Sequence, residues 1–342
     1  MLTMRFDMRV PDWAGPATAH YSALLDMCEW AETRGAALVL FSEHHGADDG
    51  HLPTPLILAS AVAARTQQIT ILLAAVPLPL WDPVRLAEEI SVLDLISGGR
   101  VSYAFGVGHR EQEYTHFGVD MAARGRLADE YLAVLIALVR GESVDFRGRR
   151  VRVTPRCASP NGPPMMIAGG SKAAVRRAAT HGLGFISQVD RPELRSEYED
   201  QCRSLGKVPG CVQFPVPDSP TAVFVADEVD QAWEQLGPHL LHDAAMAAAY
   251  RHGDDSVASI TRAQTRGRAT FGRRTVSHLD TRRGNGIRAC RHVATAAPVV
   301  RRHRPRGGVA IPADSGGGPS ASPNGPRMSF RILKTREVEA QQ

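Results

Sequence analysis

Lysine is nearly missing from this chain, occurring only at Lys172, Lys207 and Lys334. Arginine carries the rest of the positive charge, a mark of GC-rich coding and not a functional signal. Aromatic residues make up only 6% of the 342 residues. No run of eighteen apolar residues occurs, which excludes an ordinary membrane-spanning helix. Asp7 interrupts the apolar opening at once, so a secretory signal peptide is not expected. The five cysteines (Cys28, Cys157, Cys202, Cys211, Cys290) form no C-x-x-C pair. That spacing argues against structural zinc, an iron–sulfur cluster or a disulfide framework, and for reduced thiols in a cytoplasmic protein. The Gly-rich turn that opens a dinucleotide-binding sheet is also missing. Pro11-Asp12-Trp13-Ala14-Gly15-Pro16 stands after the first apolar segment.

What is present is a repeating alternation. Hydrophobic residues make up 43% of the chain, enough for one large core or two smaller ones. Met4–Val10 reads as a first strand. Tyr21, Leu24, Leu25, Cys28 and Ala31 recur at helical spacing, and the continuous apolar run Ala37–Phe41 reads as a strand buried on both faces. The unit then repeats. Helices are expected at Pro55–Arg65, Pro83–Ser97, Arg126–Val139, Ser171–Ala179 and Glu193–Leu205, with a last one beginning over Asp230–Leu241. Strands are expected at Ile69–Val76, Arg100–Phe105, Pro164–Ala168, Leu183–Ser187 and Ala222–Ala226. Val144–Val153, bent at Gly148, reads as a hairpin insertion. Seven strands alternating with helices over residues 1–265 predict an α/β chain, a (β/α)8 barrel of the TIM type lacking one strand. A doubly wound open sheet is the alternative.

Past Thr265 the pattern stops. Residues 266–342 hold 16 Lys plus Arg against 4 Asp plus Glu, a balance of +12, while the preceding residues balance at −8. The tail is rich in Arg, Gly and Pro, without helical or alternating periodicity, and its composition favours disorder. The last strand and closing helix belong here and are not recognisable.

Barrel active sites sit at the C-terminal ends of the strands. Strand two ends in Ser42-Glu43-His44-His45, which could bind metal or transfer protons. A metal needs ligands converging from several strands, and the other strand ends offer little. His44 therefore reads as an acid–base or cofactor-contacting residue, and His45 equally well as a loop-capping one. Strand three ends with two small residues, Ala74 and Ala75, where something flat could approach the backbone. Gly106 and Gly108 after strand four permit the same. Gly169, Gly170 and Ser171 precede a helix, as a phosphate cradle or as a capped tight turn.

Together these residues resemble the bacterial-luciferase-like flavin oxidoreductases over roughly Met4–Thr265. The resemblance rests on Ala31-Glu32-Thr33-Arg34-Gly35 leading to Phe41-Ser42-Glu43-His44-His45, and on Pro83-Val84-Arg85-Leu86-Ala87-Glu88-Glu89. It continues through Val92-Leu93-Asp94-Leu95-Ile96-Ser97-Gly98-Gly99-Arg100, Gly106-Val107-Gly108 with Phe117-Gly118, and Met166-Ile167-Ala168-Gly169-Gly170-Ser171. The family implies a (β/α)8 barrel carrying reduced FMN or the deazaflavin F420 over its strand ends. It would place the flavin phosphate at Gly170 and Ser171 and a non-proline cis peptide near Ala74-Ala75. His44 matches the family's active-site histidine. With reduced FMN and O2 it would steer proton transfer near flavin C4a in a monooxygenase acting on a small organic substrate. In F420 members the same floor supports hydride transfer. A flavin reductase as supplier and a homodimer are the implied partners.

The tail departs from that pattern, which suggests a frameshifted or divergent terminus and a catalytically impaired barrel. Its +12 balance raises a competing role, nonspecific binding of nucleic acid. The near absence of aromatic residues for base stacking, and the patternless arginines, weigh against it. A metal-dependent hydrolase using Glu43, His44 and His45 ranks lower, for want of ligands on other strands.

Overall fold

The computed structural model describes residues 2–189, 191–215, 224–226, 228–249 and 278–280. Seven strands form the main sheet: β1 (Thr3–Phe6), β2 (Leu38–Phe41), β3 (Thr70–Pro77), β4 (Val101–Gly106), β7 (Met165–Ala168), β8 (Gly184–Ile186) and β9 (Val212–Gln213). Their order in space is their order in the chain, and every pairing is parallel. A doubly wound sheet would reverse its order after its first strands. This one never does, so the architecture is that of an incomplete (β/α)8 barrel.

The crossovers are α1 (Ala17–Thr33), α2 (Pro55–Arg65), α3 (Pro83–Ser97), α6 (Lys172–His181) and α7 (Pro192–Ser204). Between β4 and β7 stand α4 (Glu111–His116), α5 (Arg124–Val139) and an antiparallel hairpin, β5 (Val144–Phe146) with β6 (Arg149–Val151). The helix bounds follow local chemistry. Asp82 caps α3 by accepting from the Val84 and Arg85 amides at 2.9 and 3.1 Å, Pro83 opens it, and Gly98 closes it in the left-handed region. Arg100 donates to the Ala63 and Thr66 carbonyls, satisfying the end of α2 from the start of β4. The hairpin turn needs positive φ at both Arg147 (50°) and Gly148 (72°). The strain at Arg147 is offset by its guanidinium stacking over Phe146 and donating to Tyr131 Oη at 2.6 Å.

Four expectations are corrected. The first strand ends at Phe6, because Asp7 and Arg9 turn into a buried polar network and Met8 takes φ 61°. A short helix, α4, stands where none was expected. The seventh strand of the main sheet is the two-residue β9, stationed beside β8 by the Cys211 carbonyl accepting from the Phe185 amide. The expected strand near 222–226 is β10 (Phe224–Ala226), which pairs with β11 (His278–Asp280) in a separate two-stranded parallel sheet. Its partner β11 thus stands inside the tail, where no strand was recognisable. The remainder of residues 266–342, and with it the frameshift and nucleic-acid readings, lies outside the described residues. Between these strands α8 (Val229–Ala249) carries Leu236 and Leu240 buried on one face.

Candidate active site

Four neighbouring strands, β2, β3, β4 and β7, end side by side and present the expected site residues. His44 follows β2, Ala74 and Ala75 lie in β3, Gly106 ends β4 with Gly108 just beyond, and Gly169, Gly170 and Ser171 follow β7. The Ala74–Ala75 peptide is cis, as the resemblance implied. Ala74, Ala75, Gly106, Val107, Gly108, Gly169 and Gly170 are all half-buried, so small groups line a continuous shelf across the strand ends. A Cβ on Gly106 would stand 3.3 Å from the Ala75 Cβ, crowding that shelf. Gly108 has φ +67° and packs against Pro77 and Tyr114. Tyr114 Oη donates to the Val107 carbonyl beneath the loop. Gly169 has a structural reason of its own: a Cβ there would meet the Ala174 Cβ at 2.7 Å. Ser171 is the N-cap of α6, its Oγ accepting from the Ala174 amide at 3.3 Å. These residues fit a flat ring on the shelf with an anionic group at the start of α6.

His44 Nδ1 lies 2.9 Å from Glu113 Oε1. A carboxylate oxygen only accepts, so Nδ1 bears the hydrogen in either charge state, and Nε2 is the nitrogen left for chemistry. The same oxygen accepts from the His45 amide and from Arg110, both at 3.0 Å. Arg110 also donates to the His45 carbonyl at 3.0 Å. Burial would raise the Glu113 pKa, but the bonds from His44 and His45 with the Arg110 charge outweigh it and hold it below the usual carboxylate range. The His44 ring also packs edge-on against His51 and His109, at 4.5 and 5.7 Å between centroids.

His45 turns the other way. Its Nε2 donates to Glu43 Oε1 at 2.9 Å, and its ring packs edge-on against Phe117. Trp81 Nε1 donates to the same Glu43 oxygen at 2.9 Å, while Glu43 Oε2 has no hydrogen-bond partner among the described residues. Burial, helped by the Glu113 charge, raises the Glu43 pKa against the pull of His45 and Trp81. His45 is thus held by Glu43 and Phe117, while the His44 ring stands beside His109, the residue after Gly108. Among the described residues no group of His, Cys, Asp or Glu could hold a metal ion.

Glu113, Trp81, His51 and Arg9 escaped the sequence reading. Glu111 is exposed and Glu113 buried two residues later, and nothing in the residue type separates them. The one available signal was the Arg110/Glu113 spacing of three, which puts opposite charges on one helical face.

Residues 4–302 match the family model described as luciferase-like monooxygenase. The alkanal monooxygenase alpha chain of Photorhabdus luminescens is 29% identical over 161 residues, 46% of this chain and 44% of that one. The chain spans about half the length of the curated relatives it matches. The monooxygenase RslO1 from Streptomyces bottropensis superposes with a TM-score of 0.64 at 24% identity, over 73% of this chain and 80% of that one. The oxygenating constituent of 3,6-diketocamphane monooxygenase from Pseudomonas putida, solved in complex with FMN, gives 0.57 at 17%, over 75% and 83%. The site on four adjacent strand ends and the match over most of its length agree: the chain belongs to the luciferase-like monooxygenase family.

Proposed function

We propose that this chain is a monooxygenase that takes reduced FMN and O2 to a small organic substrate, with His44 as its catalytic residue. The observation that carries this reading is the shelf of half-buried alanines and glycines, bounded on one side by His44 and on the other by the start of α6. Ala74, Ala75, Gly106 and Gly108 would receive the flavin ring. Gly169, Gly170 and Ser171 would receive its phosphate, with backbone amides and the α6 dipole favouring the anion. When bound, reduced flavin supplies the electrons that activate O2. The chain's own residues supply position and protons. Glu113 holds the Nδ1–H of His44, Arg110 neutralises Glu113, and His44 Nε2 then gives or takes a proton beside the shelf.

Small substrate, a separate flavin reductase and a cytoplasmic setting belong to the same proposal; Cys28, Cys157, Cys202 and Cys211 are free thiols, and no helix among the described residues could cross a membrane. So does a homodimer. Ile57 on α2 is 70% exposed, and Val92, Leu95 and Ile96 on α3 are exposed beside it. The same proposal draws the barrel over residues 1–265 and leaves 266–342 as a tail, whose first part, to residue 302, still lies within the family match.

Titrating the folded full-length chain with FMN, FAD and F420, followed by fluorescence, tests the cofactor. Saturable FMN binding is expected. Binding of F420 alone would turn the reading to hydride transfer, and binding of none would end it.

A further inference from the structure

Behind His44 lies a buried polar chain that the proposed chemistry does not use. Arg9 Nε donates to His51 Nδ1 at 3.0 Å. Arginine has no lone pair to offer, so Nδ1 must accept, and the single imidazole hydrogen sits on Nε2. That Nε2 lies 3.0 Å from Ser42 Oγ and donates to it. The His51 ring in turn stands edge-on to His44 at 4.5 Å, with an interplanar angle of 69°.

The chain is anchored at every link. The Asp49 carboxylate accepts from the His51 amide at 3.3 Å, and the Asp7 carbonyl accepts from the Leu52 amide at 3.0 Å. The Leu52 carbonyl then accepts from the His44 amide, which ties the two histidine backbones together. Arg9 is ion-paired with Asp243 on α8, and Asp7 and Asp49 stand 3.8 Å from its Nε. Asp49 Oδ2 also meets His242 of α8 at 2.8 Å. Burial, and then the charges of His44, Arg9, Arg5 and Arg110, disfavour a second proton on His51, while the nearby Asp7, Asp49 and Asp243 carboxylates are paired with Arg9.

We propose that His51 is a positioning residue for His44: protonated only at Nε2 under the control of Arg9, it orients the Ser42 hydroxyl and braces the His44 ring, with α8 fastening the brace through Asp243. The inference deepens the reading of His44 as the residue that handles the proton, but its test does not need flavin or substrate. A brace that carried a charge would repel a protonated His44; one locked neutral supports it in both charge states.

Histidine side-chain nitrogen NMR on the full-length, flavin-free chain decides it, with resonances assigned by single substitution. His51 is expected to show an Nε2–H signal that does not titrate between about pH 5.5 and 8.5, where an ordinary histidine would. His51→Gln, whose amide can both accept from Arg9 and donate to Ser42, should keep hydrogen exchange at His44 Nδ1 within roughly twofold of the parent. His51→Leu, similar in bulk but unable to do either, should speed that exchange by roughly tenfold. Should His51→Leu not fold, Arg9→Gln replaces it, and there His51 should lose its single tautomer and begin to titrate. A hydrogen on His51 Nδ1, titration of His51 in the parent, or equal behaviour of the Gln and Leu variants would each overturn the proposal. FMN binding, measured separately, judges the flavin reading alone.

Discussion

Two buried carboxylates flank the end of β2, and each takes one of two adjacent histidines. Glu113 receives the His44 imidazole, the His45 amide and Arg110, three donors on one oxygen. Glu43 receives the His45 imidazole and the Trp81 indole, and among the described residues no arginine pairs with it and its second oxygen has no hydrogen-bond partner. The two pKa values are pushed in opposite directions, Glu113 down and Glu43 up. What separates them is compensation, since both carboxylates are almost wholly buried. An ionised carboxylate is tolerable where an arginine and several N–H groups meet it, and costly where they do not. The carboxylate beside His44 is thereby favoured in its charged form, and the one beside His45 is disfavoured in it.

Breaking the charged side should cost most. Glu113→Ala leaves Arg110 and the His44 Nδ1–H without their carboxylate, and a loss of about 3–5 kcal/mol is expected in denaturant unfolding. A loss comparable to that of an exposed glutamate would show that Arg110 does not need it. His44→Ala should lower turnover by about 100- to 10,000-fold once a substrate is found, with circular dichroism and FMN affinity little changed. Retained turnover would move the catalytic role elsewhere.

Acid should expose the buried histidine of the same cluster. Burial, then the neighbouring His44 and arginine charges, hold His51 far below the usual histidine value of 6.5. The unfolded chain binds a proton there and the folded chain does not. Stability is therefore full above pH 6.5 and falls as the pH drops below it, by up to about 1.4 kcal/mol per pH unit. Thermal unfolding between about pH 7.5 and 5.5 should show a shallower decline in His51→Gln than in the parent. Glu113 acts in the same sense but later. Its stabilisation is present above the ordinary carboxylate value of 4.5 and is lost as pH falls through its lowered folded value.

The Glu43 side should give least. Glu43→Gln can keep an oxygen for Trp81 and His45, and a change below about 1 kcal/mol is expected in the same unfolding assay. A change as large as that of Glu113→Ala would erase the distinction between the two carboxylates. Trp81→Phe, which removes only one donor to Glu43, should fall near 1 kcal/mol.

Much of this fold was legible from periodicity. Pro55–Arg65 and Pro83–Ser97 form helices with the expected bounds, because each combines a proline at its first position with a clear end signal, Thr66 moving to extended backbone or Gly98 turning left-handed. The strand at Val212–Gln213 was not legible, since two residues carry no period. Its place comes from the Gly184 backbone: a Cβ there would meet the Cys211 carbonyl at 2.7 Å, so only glycine lets the two strands close up. The site divided in the same way. Small residues at strand ends announce themselves locally, whereas Glu113 reaches His44 from α4 and His51 by the fold-back of its own loop, and neither approach leaves a mark in composition.

By itself the sequence determined the alternation of strands and helices, the absence of a dinucleotide turn, and the cluster Ser42-Glu43-His44-His45. These follow from local sterics and burial period, which neighbouring residues settle among themselves. Only the tertiary structure gave the two adjacent histidines different carboxylates, Glu113 for His44 and Glu43 for His45. Successive side chains leave a strand end in different directions, and the choice was made by where α4 sets Glu113 and where β3 leads to Trp81. Tertiary structure also brought Asp243, more than two hundred residues along the chain, onto Arg9. Charge pairing across that distance depends on α8 returning beside the loops that follow β1 and β2, and no local rule encodes it.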